Sequence, residues 1–91
     1  MTIQKLTEII NCADNGEIRK QLQQLGYVDC RTDKSELGNV DISALFSGDM
    51  QHTKTNGTHL GAIVTNVDGY ENCEFIVIVD RNKNMLIYGK Q

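Results

Sequence analysis

Ile3, Leu6, Ile9, Ile10 and Ala13 recur at helical spacing and predict one amphipathic helix over 3–13, with Thr2 as its cap. Asp14-Asn15-Gly16-Glu17 then has the form of a break followed by a capping box. In it Asp14 accepts from the third-position amide and Glu17 reaches back. Ile18, Leu22 and Leu25 resume the stripe at i, i+4 and i+7. Gly26 stands where a left-handed C-cap belongs, so a second helix is expected over about 16–25. The short break makes the two helices a hairpin or an angled pair.

The middle of the chain is less regular. Tyr27, Val28 and Cys30 suggest a short extended piece, and Thr32 or Asp33 caps a single turn ending at Leu37-Gly38. Val40, Ile42, Ala44 and Phe46 alternate like a strand. The same stretch also reads as a short helix capped by Asp41, with Ile42, Leu45 and Phe46 apolar and Gly48 as its stop; the helix is preferred. Residues 47–58 form the longest polar stretch and are expected to be a loop. Three strands follow, Leu60–Val67, Phe75–Val79 and Met85–Tyr88, joined by turns around Asp68-Gly69 and Arg81-Asn82-Lys83-Asn84.

The expected fold is therefore α+β. A helical pair packs on a C-terminal three-stranded antiparallel meander, with a short irregular or helical middle segment, and 1–91 is one small domain. Phe75-Ile76-Val77-Ile78-Val79 is apolar at every position, where a half-exposed strand would alternate. The helices cover one face of such a strand. The other face needs the middle segment or a second copy of the chain.

Composition sharpens this reading. Apolar residues make up 40% of the 91 and charged residues 23%, which excludes wholesale disorder; aromatics at 5% and the absence of Trp make the core aliphatic. The net charge of −3 carries no basic block, which counts against nucleic acid as a partner. No apolar run approaches the ~20 residues of a membrane span, so no membrane association is expected. The N-terminal residues lack a signal-peptide pattern, and a cytoplasmic location is expected. Cys12, Cys30 and Cys73 are odd in number and show no CxxC spacing, so no disulfide framework is expected. Asn56-Gly57-Thr58 matches a glycosylation sequon but, without a secretory signal, marks only a polar turn.

Candidate chemistry is sparse. His52 and His59 flank the polar stretch with Asp49 nearby, but their spacing fits no standard zinc pattern, so neither a metal nor any other cofactor is expected. Cys30, beside Arg31, is the one thiol placed to be activated. It would need His52 or His59 as base and Asp49 to orient that base. No glycine pattern makes a phosphate cradle, and Asp68-Gly69-Tyr70-Glu71-Asn72 lacks the ligand series of a calcium loop. A helical pair before a meander also has a winged-helix-like outline, with Arg19, Lys20, Gln23 and Gln24 turned to DNA. Asp33, Glu36 and Asp41 on its third helix would oppose phosphates.

The leading expectation is a small non-enzymatic protein-binding or regulatory module of inhibitor, immunity or accessory type, from a bacterium or mobile element, that self-associates. No catalytic residues are assigned. Asp68, Tyr70, Glu71 and Glu74, gathered at one hairpin end, are its expected partner contacts, with Tyr70 as anchor. The first alternative is a small-ligand-binding or enzymatic homodimer using Asp49, His52, His59 and Cys30 near the 47–59 loop. The second is a winged-helix-like DNA-binding regulator.

Overall fold

The computed structural model describes residues 1–12, 14–32, 37–53 and 57–91. The first helix, α1 (Ile3–Ile10), starts where Thr2 accepts the Lys5 amide on its side-chain oxygen, and it buries Leu6, Ile9 and Ile10. It is shorter than its apolar stripe predicts, because Asn11 and Cys12 turn out of the helix; Ala13 lies outside the described residues. Helix α2 (Asn15–Gln24) buries Ile18 and Leu22 and is capped by Asp14. The reciprocal capping box does not form as expected. Asp14 accepts from Gly16, at the second position, and the Glu17 carboxylate accepts from Gln21 one turn on. Gly26 ends the helical stretch at φ 92°, a conformation open to glycine without steric cost.

The chain continues as β1 (Val28–Asp29), α3 (Ile42–Leu45), β2 (Asp49–His52), β3 (His59–Thr65), β4 (Glu74–Asp80) and β5 (Met85–Lys90). The short helix at 42–45 agrees with the preferred reading, and Asp41 caps it by accepting from Ser43. The turn expected to end at Leu37-Gly38 falls largely on residues 33–36, outside those described. Among the described residues the strands form one antiparallel sheet in the order β1-β5-β4-β3-β2.

The expected three-stranded meander is therefore corrected to a five-stranded sheet. Asp49–His52, expected as loop, pairs with β3, and Val28–Asp29 pairs with β5. Both additions are short edge strands, whose outer sides need no apolar residues and so leave little trace in a hydrophobicity pattern.

The sheet has two apolar faces. On the helix face, Ile63, Ile76 and Tyr88 stand opposite one another across β3, β4 and β5, as do Gly61, Ile78 and Leu86. They meet Leu6, Ile9, Ile10, Ile18, Leu22 and Tyr27 in one cluster, with Met1 and Ile3 packed on it. The second face carries a separate cluster in which Cys30, Leu37, Val40 and Leu45, from the middle of the chain, cover Val64, Phe75 and Ile87. Gly89 makes this possible: a Cβ there would lie 2.4 Å from Leu37 and 2.8 Å from the Cys30 sulfur. A bare backbone in β5 is thus the seat of the middle segment.

Candidate functional site

Coverage of the second face falls off along the strands. The row Val64–Phe75–Gly89 lies beneath the middle segment, and Val64 and Phe75 are fully buried. In the next row, Ala62–Val77–Ile87, Val77 is half-buried. In the outer row, Leu60–Val79–Met85, Leu60 is 41% exposed and the other two are half-buried.

Helix α3 is only one turn long, so it shields the first row and stops. Leu45 points into the cluster, while the next residue, Phe46, is 72% exposed. Beside them opens a groove of about 140 Å3, walled by Ile42 on α3, by Phe46 at its C-terminal cap, and by Met50, Leu60, Val77 and Met85 on the sheet. His52, exposed at its edge, is the one strongly polar side chain in the lining. Phe46 thus leaves its ring in water beside an apolar trough.

Sequence reasoning missed this site. Its lining comes from four strands and α3, and only the sheet register brings them together. The one available signal was the apolar β4 run, which demanded cover on its second face.

The expected hairpin-end residues are divided between the two faces. Tyr70 is half-buried on the second face, its ring edge-on to Phe75 at 5.7 Å. Asp68 and Glu71 are exposed in the β3–β4 turn, where the Asp68 amide donates to Ser47 and Glu71 accepts from the Gly69 amide. Glu74 is on the helix face. It accepts from the Tyr27 hydroxyl and pairs with the Met1 amine at 3.2 Å. Burial, then the Glu74 carboxylate, push the Tyr27 phenol well above its usual range.

The alternative set, Asp49, His52, His59 and Cys30, is not brought together. His52 lies opposite Ala62 and shares the second face, while His59 lies opposite Asp80 on the helix face. Asp49, opposite Thr65, binds Asn66 at 2.7 Å. Cys30 is fully buried under the middle segment, and its thiol is pushed up to about 12, first by burial and then by Asp29 and Cys73. An activated thiol needs the opposite shift.

His59 instead sits in a polar cleft of about 450 Å3 lined by Asp14, Asn15, Asp80 and Arg81 among others. Its Nε2 is 2.9 Å from the Asn15 side-chain oxygen, and its Nδ1 is 3.1 Å from the Thr58 hydroxyl. Asn15 in turn donates to Asp80 at 3.1 Å, so its oxygen is left to accept. Nε2 is thus placed to donate to Asn15. Asn15, then the amides and side chain of the β4–β5 turn, hold the Asp80 carboxyl below the usual range.

Arg19, one of the residues considered for DNA contact, donates to the Tyr88 hydroxyl at 3.1 Å and lies 3.7 Å from Asp29. Among the described residues no three metal-ligating side chains gather, and no helix is long and apolar enough to cross a membrane. No family model, curated protein or solved structure matches the chain.

Proposed function

We propose that the chain is a small protein-binding module whose docking surface is the apolar groove on the second sheet face. One observation carries the reading: Phe46 stands 72% exposed at the rim of a trough whose walls are almost entirely apolar. The groove suits an apolar segment of a protein better than a metabolite, because it offers almost no polar group to orient a small ligand. The aromatic rim supplies an anchor of the kind that dominates protein contacts.

The test is comparative capture. Phe46→Asp loses bound proteins that wild type retains, and its melting temperature stays near that of wild type because the ring is already in solvent. Lys20→Asp, on the exposed side of α2, keeps them. Retention of the same proteins by Phe46→Asp refutes the reading.

A second reading, a site for a small polar ligand, is supported by the His59–Asn15–Asp80 chain, with His59 buried, at the cleft between α2 and the β4–β5 turn. That geometry differs from the expected set, since His52, Asp49 and Cys30 take no part.

A further inference from the structure

We infer that the groove is filled by Phe46 of a second copy of the chain, each ring seated in the other copy's groove about a two-fold axis; the inference rests on the docking reading above. The groove has a volume of about 140 Å3. An apolar cavity of roughly 150 Å3 takes up one benzene molecule, so the trough has the capacity of one phenyl ring. The chain has two phenylalanines; Phe75 is fully buried, and Phe46 stands 72% exposed at the groove's own rim. Ring and receptor therefore lie side by side on one face.

That arrangement is complementary to itself. A two-fold axis lying in the plane of contact, midway between the ring and the centre of the groove, exchanges the two, so each Phe46 enters the partner's groove. The relief of the face agrees. Helix α3 and Phe46 stand over one end of the strands, and the row Leu60–Val79–Met85 at the other end is only partly covered. Two such steps interlock under the same axis. The α3 of each copy then covers the outer row of the other, which the chain's own one-turn helix does not reach. Among the described residues no Asp, Glu, Lys or Arg lines the groove, so no like charges meet inside it.

The area suits a weak dimer. Phe46, Leu60 and Ile42, at 72%, 41% and 38% exposure, leave roughly 300 Å2 of surface per chain, and all three line the groove that the partner fills. Two such patches make up the apolar part of an interface of about 1,000 Å2, the lower end for specific association. The dimer is therefore concentration-dependent, and the chain is a monomer at high dilution.

Sedimentation across a concentration series tests the exchange of rings. The wild-type mass rises from 10.2 kDa towards twice that value. Phe46→Ala removes the ring, and Ala62→Leu, in the groove lining, fills its receptor from within. Each variant alone weakens association about a hundredfold or more, because every dimer loses two ring contacts. An equimolar mixture recovers about tenfold, since the Phe46 of one variant still meets the open groove of the other. Circular dichroism checks that each variant keeps the fold; should Ala62→Leu unfold, Leu60→Lys, at an exposed site, closes the groove by charge instead. A monomer at every concentration, a dimer indifferent to either variant, or a mixture no stronger than the variants alone overturns the inference. The capture comparison at Phe46, made at high dilution, decides the docking reading separately.

Discussion

The two faces of the sheet are built from equally apolar strands, yet they are finished differently. On the helix face two helices of eight and ten residues lay continuous stripes over the rows, and Ile76 and Ile78 are fully buried. On the second face the cover is a wandering segment and a four-residue helix, which seals Phe75 and leaves Leu60 in solvent. The difference lies in the length of the covering element. A helix spans a sheet only as far as its turns reach, and α3 has one turn. A closed face keeps its apolar rows from water, and a half-closed one leaves Leu60 41% and Phe46 72% exposed.

The sharpest way to break this comparison is to truncate one β4 side chain on each face to alanine. Ile76→Ala, in the closed face, is expected to cost about 2–5 kcal/mol in urea unfolding, whereas Val79→Ala, in the outer row of the open face, costs under about 1 kcal/mol. Equal losses would show that both faces are packed alike.

A smaller effect comes from lifting the partial cover itself. Gly89→Ala drives a methyl into Leu37 and Cys30, and a loss of about 1–3 kcal/mol is expected. The accompanying readout is the thiol. In wild type, Cys12 is exposed and reacts with a thiol reagent, while Cys30 is sealed and, pushed up to about 12, holds almost no thiolate at neutral pH. Gly89→Ala speeds labelling of Cys30 and leaves Cys12 unchanged. If Cys30 labels as fast in wild type, the middle segment is not the seal described.

The smallest effect concerns the polar end of the closed face, where Asn15 ties α2 to Asp80. The Asp80 carboxyl is held below its ordinary value in the folded chain. Its contribution is therefore complete above about pH 4 and disappears as pH falls through the depressed folded value. Asp80→Asn is expected to flatten the acid limb of the stability curve in that window and to leave its shape at neutral pH unchanged. An unaltered acid limb would remove Asp80 from the account.

Much of the closed face is legible in the amino-acid sequence, because long elements repeat their pattern. The stripes of α1 and α2, the caps at Thr2 and Asp41, and the three inner strands all declare themselves. The two-sided β4 run also poses the right question about cover. The middle segment supplies that cover at one end of the strands only.

The edge strands do not declare themselves. Asp49-Met50-Gln51-His52 has one apolar residue and sits in a polar stretch, and what makes it a strand is β3 beside it. The site is hidden for a related reason. Leu45 and Phe46 are neighbours of similar hydrophobicity, and only the end of α3 between them sends one in and the other out. His52 and His59 are close in sequence, but the β2–β3 register assigns them to opposite faces, which no spacing rule for a flexible loop anticipates.

The join between β1 and β5 bears on how the chain reaches this state. Strands β3, β4 and β5 each pair with a sequence neighbour across a short turn, so their contacts cost little loop entropy and form early. Val28 pairs with Gly89, closing a loop that contains the rest of the sheet. During synthesis the helical third emerges first, yet β1, the strand that follows it, has no partner until β5 has been made. Folding of this small domain is therefore expected to be governed by the meander, with helices and middle segment docking onto a sheet that already exists.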